Sequence, residues 1–266
     1  MRRLQRVLFW VFALMVSAVH GADVYREDFV GGTNGWACLA GPLLQHTNEM
    51  LRVTFVVPPP PAPPIPTPAT LYSGAAASGG AFTGSYQQAG ISLLGFRIRA
   101  LTLTNSAPVL RWASGTNMFI RAFGDGIAQT GAWYNYATSL KDVSETEWSQ
   151  EGQATLDREH FAACLTNVTE VRIVINNPSA MFSSQFELDA IYADQLPAAE
   201  SAHIAGTDAV IVWSPLQTDL TYTVQDADME SGTWALVAAL NPTARTHSIA
   251  IPLGTNAGPR SYRLKN

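Results

Sequence analysis

Between Leu51 and Tyr192 the chain breaks repeatedly into short runs rich in β-branched and aromatic residues, and this rhythm constrains the fold more than any other feature. The runs are 51–57, 91–104, 109–112, 118–123, 134–140, 171–175 and 186–192, separated by Gly, Asn, Ser or Pro clusters. Within one of them Phe96, Ile98 and Ala100 alternate with Arg97 and Arg99, the period of a strand that buries one face and wets the other. Many short strands joined by turns predict an all-β sandwich rather than a parallel sheet. One helix interrupts the pattern. Thr155 or Asp157 can cap a segment in which Leu156, Phe161, Cys164 and Leu165 share a helical face, and it ends at Asn167. Asn167-Val168-Thr169 is formally a glycosylation sequon, but it reads better as a plain turn into the next strand.

The N-terminus carries the most specific signal. Arg2, Arg3 and Arg6 precede an apolar run at 7–19, small residues follow at Gly21 and Ala22, and Asp23 opens a polar chain. This is the layout of a signal peptide over 1–22. The run is shorter than the roughly 20 apolar residues that a spanning helix needs, although an N-terminal anchor is the alternative. No later stretch is long and apolar enough to span a bilayer, so the mature chain is expected to be secreted or at the cell surface, without a membrane span. Removing the three arginines moves the formal charge from −5 to −8. An acidic chain with no Lys/Arg stripe lacks the electrostatic footprint of a nucleic-acid binder. Charged residues make up only 14% against 47% hydrophobic, which argues against a disordered charged tail. Cys38 and Cys164 can pair in an oxidising compartment, contributing about 4 to 5 kcal/mol by closing so long a loop, or can remain two buried thiols.

Two boundaries divide the rest. The eight prolines of residues 58–68, PPPPAPPIPTP, have no amide donors to give a sheet, and the run is expected to adopt extended polyproline geometry. With the Gly/Ala/Ser-rich residues 73–90 they form an expected insertion over 58–90 in a first domain, 23–195. A linker is expected at 196–200, followed by a small second β-sandwich over 201–266 with strands at 209–213, 221–225, 234–238, 247–251 and 261–264.

Glu27-Asp28-Phe29, Gly31-Gly32, Gly35-Trp36, Trp133, Tyr136, Leu140, Trp148, Phe161, Leu165 and the closing Phe186-x-Leu188-Asp189-x-Ile191 together resemble the laminin-B-type and carbohydrate-binding-module-type jelly rolls of secreted bacterial proteins. Ala190 stands where an Asn is usual, and the proline insertion is a second departure. The C-terminal residues Trp213-Ser214, Tyr222 to Gln225, Gly232-Thr233-Trp234 and Ser261 to Leu264 resemble a small fibronectin type III-like module. The resemblance implies a jelly-roll sandwich followed by that module, and a glycan as ligand. It also implies a structural Ca²⁺ between first and last strands, held by Glu27, Asp28 and Asp189, since such an ion wants six to eight oxygens. Asp226 and Asp228 with Gly232 give a weaker hint of a calcium loop. Sugar binding needs exposed rings, because pyranose faces are apolar and stack on Trp or Tyr. Trp112, Trp133, Tyr134 and Tyr136 are the candidates, with a place in the core between two sheets as the alternative. Trp36, Trp148, Trp213 and Trp234 are expected in the core.

The chain contains no GxSxG, HExxH or GxxxxGK[ST] motif, and His46, His160, His203 and His247 lack metal-ligand spacing. Carboxylate pairs such as Glu145/Glu147 do not by themselves make a glycosidase, whose acids must flank a cleft. The expectation is therefore an exported, non-catalytic binding or adhesion protein directed at an extracellular glycan or a cell-surface or matrix component. A structural matrix protein and an unrecognised carbohydrate-active enzyme are the alternatives. Cleavage after Ala22 predicts that the exported chain begins Asp23-Val24-Tyr25, which N-terminal sequencing or intact mass checks; an exported chain still beginning at Met1 contradicts it.

Overall fold

The computed structural model describes residues 25–39, 42–55, 68–102, 106–141, 143–176, 184–216, 221–228, 234–252 and 260–265. The expected signal segment 1–22 and the proline run through residue 67 lie outside these described residues.

The longest strand, β12 (Ser184–Asp194), organises the first sheet. On one flank it pairs β6 (Leu93–Ala100), which pairs β9 (Trp133–Ser139). Its other flank is shared between β4 (Met50–Phe55) near its start and β1 (Tyr25–Glu27) near its end, with β3 (Leu43–Thr47) outside β4. A second antiparallel sheet runs β10 (Ser149–Gln150), β8 (Asn117–Ala122), β7 (Val109–Ser114), β11 (Glu170–Ile175), β5 (Ala69–Tyr72) and β2 (Ala37–Leu39). Alternate residues of both sheets meet in one core: Leu51, Val53, Phe96, Ile98, Phe186 and Leu188 from the first, Leu71, Leu110, Trp112, Phe119, Val171 and Ile173 from the second. The fold is an all-β sandwich, as the runs of β-branched and aromatic residues required.

Two short helices close one edge of the sandwich, α1 (Tyr86–Ala89) and α2 (Arg158–Cys164). Asp157 caps α2 by accepting from the His160 amide at 2.9 Å, and Phe161 drives the helix onto the core through edge contacts with Trp112, Phe119 and Trp148. The expected insertion over 58–90 is corrected in its second half. β5 pairs both β2 and β11, and Leu71, Phe82 and Tyr86 are fully buried, so the described part of this segment contributes to the core. Shortness hid it: β5 is only four residues between the proline run and a Gly/Ala/Ser-rich turn, and its strand state rests on its neighbours.

After β12 the chain forms β13 (Ala198–Ala205), β14 (Asp208–Ser214), β15 (Tyr222–Asp228), β16 (Trp234–Leu240), β17 (His247–Pro252) and β18 (Arg260–Lys265). They make two three-stranded sheets, β13-β14-β17 and β16-β15-β18. The expected linker at 196–200 is corrected, because β13 already occupies 198–200; its Ala-rich sequence gave no strand signal. Ile211, Trp213, Tyr222, Val224 and Ile251 form a second core, and it includes Leu93 and Tyr192 of the first sheet. The C-terminal strands are thus seated on the outer face of β6 and β12. Asp194, 2% exposed, receives Arg245 through two bonds of 2.9 Å, one to each oxygen, so this buried charge is paired across the junction. Among the described residues no helix is long and apolar enough to cross a membrane.

Gly95 and Tyr192 are registered partners, and a Cβ on Gly95 would collide with the Tyr192 ring. Gly95→Ala is expected to push that ring off the junction and destabilise the protein by about 1–3 kcal/mol. Urea unfolding checks this, and an unchanged midpoint contradicts it.

Candidate functional site

Strand alternation sends Arg97 and Arg99 of β6 outward while Phe96 and Ile98 face the core. Next to them on β9 the register places Trp133 opposite Arg99 and Asn135 opposite Arg97. Both guanidiniums lie over the Trp133 ring, at 4.9 Å for Arg97 and 4.5 Å for Arg99, which fixes the indole against the sheet by cation–π attraction. On the other side of β6, Glu187 of β12 stands between Arg99 and Arg52 of β4. Its Oε1 accepts from Arg52 Nε at 3.0 Å and Nη2 at 2.5 Å, and its Oε2 from Arg99 Nε at 2.8 Å. A bulge between Leu188 and Ala190 displaces Asp189, whose Oδ2 accepts from Arg97 Nη1 at 3.0 Å. The result is a continuous row across four strands: Arg52, Glu187, Arg99, Trp133, Arg97 and Asp189.

Glu187 is 1% exposed, whereas the three arginines keep 27–31% exposure. Burial alone would raise the Glu187 pKa, but hydrogen bonds and charge from Arg52 and Arg99 outweigh it and hold the carboxyl below its ordinary value. Among the described residues the C-terminal strands cover this sheet face at its Leu93, Ala137 and Tyr192 end. Trp133 and the arginines therefore sit on a shelf beside that wall.

Strand alternation separates the four rings expected to bind ligand. Trp133 faces outward and is half-buried. Trp112 is fully buried, stacked on Phe119 at 4.4 Å between ring centroids. Tyr136 is buried beside Phe96 and Phe123; its hydroxyl donates to the Asp125 carbonyl at 2.9 Å, and burial, helped by Tyr134 and Asp125, pushes its pKa up to about 12. Tyr134 packs against the core, with its hydroxyl accepting from the Gln129 amide. Trp112 and Tyr136 present no free ring face, so the expectation of a ligand role for them is corrected. Period two puts Tyr134 and Tyr136 on one face of β9 and Trp133 on the other. Trp36, Trp148 and Trp213 are buried, as expected of core residues, while the side chain of Trp234 lies outside the described residues.

The three acids expected to hold calcium do not converge. Glu27 is buried and its Oε1 accepts from the Phe29 amide and Asn34 at 2.8 Å each, while its Oε2 accepts from Ser78 at 2.7 Å. Asp28 is exposed against Arg26 at 2.6 Å, and Asp189 is with Arg97. Among the described residues no group of three His, Cys, Asp or Glu side chains is placed to hold a metal ion. Glu27 instead organises the 29–34 turn, including the left-handed Phe29 and Asn34. The side chains of Asp226 and Asp228 lie outside the described residues. Cys38 and Cys164 are unpaired: Cys38 is on β2, with its thiol pKa raised mainly by burial, and Cys164 Sγ is 3.6 Å from His160 Nε2 on α2.

A cavity of about 580 Å³ opens between α1 and α2, walled by Tyr86, Ile91, Leu140, Phe161 and Leu165. Among the described residues no Asp, Glu or His lines it. Sequence reading missed Glu187 and Arg52. Their signal was available as outward-facing charges at matching positions of three strands, but it needs the pairing register to be seen.

No protein-family model matches the chain, and no curated protein does. Among solved structures it is similar to an agarase, with 10% identity over 62% of this chain and 23% of that one, at a TM-score of 0.42. The L4b domain of human laminin alpha-2 is similar at 14% identity, covering 66% of this chain and all of that domain, TM-score 0.38. The Crh5 transglycosylase, solved in complex with NAG, is similar at 14% identity over 68% of this chain and 88% of that one, TM-score 0.36. The chain spans less than a quarter of the agarase. These likenesses agree with a β-rich fold and, at such TM-scores, carry no activity to this chain. They do correct the expectation of a non-catalytic protein: an agarase and a transglycosylase stand among the similar structures, and that expectation is withdrawn.

Replacing Arg52 and Arg99 together by Met leaves Glu187 buried without a cation. A loss of about 3–5 kcal/mol at pH 7 is expected. In the unsubstituted chain the lowered Glu187 pKa contributes stability above the ordinary carboxylate range near 4.5, lost as pH falls through the folded value. The double variant reverses the sign for this group, because its carboxyl then favours the neutral form, so its penalty is full at neutral pH and the deficit shrinks as pH falls toward and through the ordinary carboxylate range. Urea unfolding from pH 3 to 8 checks both; a deficit independent of pH contradicts the assignment.

Proposed function

We propose that this protein is exported and glycan-directed, and that it receives a sugar ring on Trp133. The observation that carries the reading is the Trp133 indole held against an outward sheet face by Arg97 and Arg99, with exposed Asn135 beside it. A pyranose has an apolar face that packs on an indole, while its equatorial hydroxyls need donors and acceptors at the ring's edge. Arg97, Arg99, Asp189 and Asn135 supply those groups around one aromatic platform. The arginines also limit the motion of the indole before binding, which lowers the ordering cost of association.

The wall formed by the C-terminal strands supports the same reading, since a shelf with one closed end orients an elongated ligand along β6 and β9. The basic–apolar N-terminal segment and the laminin-B-like and carbohydrate-binding-module-like motifs support an extracellular setting, where glycans are abundant.

The test is a glycan-array screen of the mature chain, followed by titration of the best oligosaccharide and by mass spectrometry of released products. Trp133→Ala is expected to weaken binding by at least about tenfold, ~1.4 kcal/mol, while Trp133→Phe retains part of it. Circular dichroism confirms the fold in both variants. Full binding by a folded Trp133→Ala chain, or no glycan bound by the unsubstituted one, sinks the reading.

A further inference from the structure

The charge of the Trp133 shelf narrows the ligand class. The chain as a whole is acidic, formally −5. On the shelf, however, Arg52, Arg97 and Arg99 meet only Glu187 and Asp189, which leaves a surplus of one positive charge among the described residues. The surplus is also fixed in place. Glu187 grips Arg52 and Arg99 by their inner donors, Asp189 grips Arg97, and the indole covers the planes of Arg97 and Arg99. A guanidinium has five N–H donors, and these contacts use one or two of them per arginine.

The donors left over sit on side chains that are 27–31% exposed. Strand geometry sets their spacing. Arg97 and Arg99 are two residues apart, roughly 7 Å, and Arg52 and Arg99 flank β12 at two inter-strand steps, roughly 10 Å. A neutral hydroxyl meets a guanidinium through single bonds and brings no opposite charge. Carboxylates and sulfates add the opposite charge and bidentate geometry.

We propose that the ligand of this shelf is an anionic oligosaccharide, carrying carboxylate or sulfate groups that meet Arg97, Arg99 and Arg52 while a sugar ring packs on Trp133. This rests on the glycan-directed reading of the same site. Glu187 and Asp189 act as positioning residues: they hold the inner edge of each guanidinium so that its outer edge faces the ligand.

The experiment titrates the full mature chain with three probes: an oligogalacturonate, the same oligosaccharide after carboxyl reduction, and a sulfated galactan oligosaccharide. At least one charged probe is expected to bind about tenfold or more tighter than the reduced, neutral one. A preference for the oligogalacturonate identifies carboxylate recognition, and a preference for the galactan identifies sulfate. That preference is expected to fall severalfold between about 50 and 300 mM salt, because partly exposed charges are screened over a Debye length near 10 Å. Arg97→Gln is expected to remove most of the preference and Arg97→Lys to keep most of it. If Arg97→Gln does not fold, the salt dependence of the unsubstituted chain decides. Equal or tighter binding of the neutral probe overturns the anionic proposal and leaves the glycan reading standing. Failure of all three probes, together with a blank array, overturns both.

Discussion

One buried carboxylate sets much of the outer face of the first sheet. Glu187 lies in the longest strand, almost sealed from solvent, and two arginines from the flanking strands close on it from either side. An ionised group in that position is tolerated only when charge and hydrogen bonds replace its hydration. Because Arg99 is held by Glu187 and also lies on Trp133, the carboxylate, guanidinium and indole form one mechanical unit. Moving any of them disturbs the next, and so the register of β4, β12, β6 and β9 is read out on the surface as a fixed row of side chains.

The same strand joins the two parts of the chain. After its bulge at Asp189, β12 turns Tyr192 and Asp194 toward the C-terminal strands, where one fills their core and the other receives Arg245. Gly95 makes room for the Tyr192 ring by having no side chain in its path. The wall beside the Trp133 shelf is therefore built from the continuation of the strand that supports the shelf. Packing in the junction and geometry at the site are linked through β12, β6 and β9, each of which contributes residues to both.

The alternation of Phe96, Ile98 and Ala100 with Arg97 and Arg99 was legible because one face of that strand is wet and the other dry. The Asp157 cap and the buried Phe161 of α2 were legible for the same kind of local reason. The failures share a cause as well. β13 is built largely from small residues and β5 is only four residues long, and their strand state comes from partners rather than propensity. Glu27, Asp28 and Asp189 matched the motifs of a metal-holding jelly roll, yet each found a nearer donor, and a motif does not say which donor is nearer.

The sequence by itself determined the β-rich architecture, the faces of its strongest strands and the placing of Trp36, Trp148 and Trp213 in the core, because these follow from periodicity and side-chain burial. Which of Trp133, Tyr134 and Tyr136 faces out, whether Cys38 meets Cys164, and that Arg52 reaches Glu187 across 135 positions were decided only in three dimensions. Those outcomes depend on strand register and sheet order, which are set by long-range pairing and leave no mark within a short window of residues.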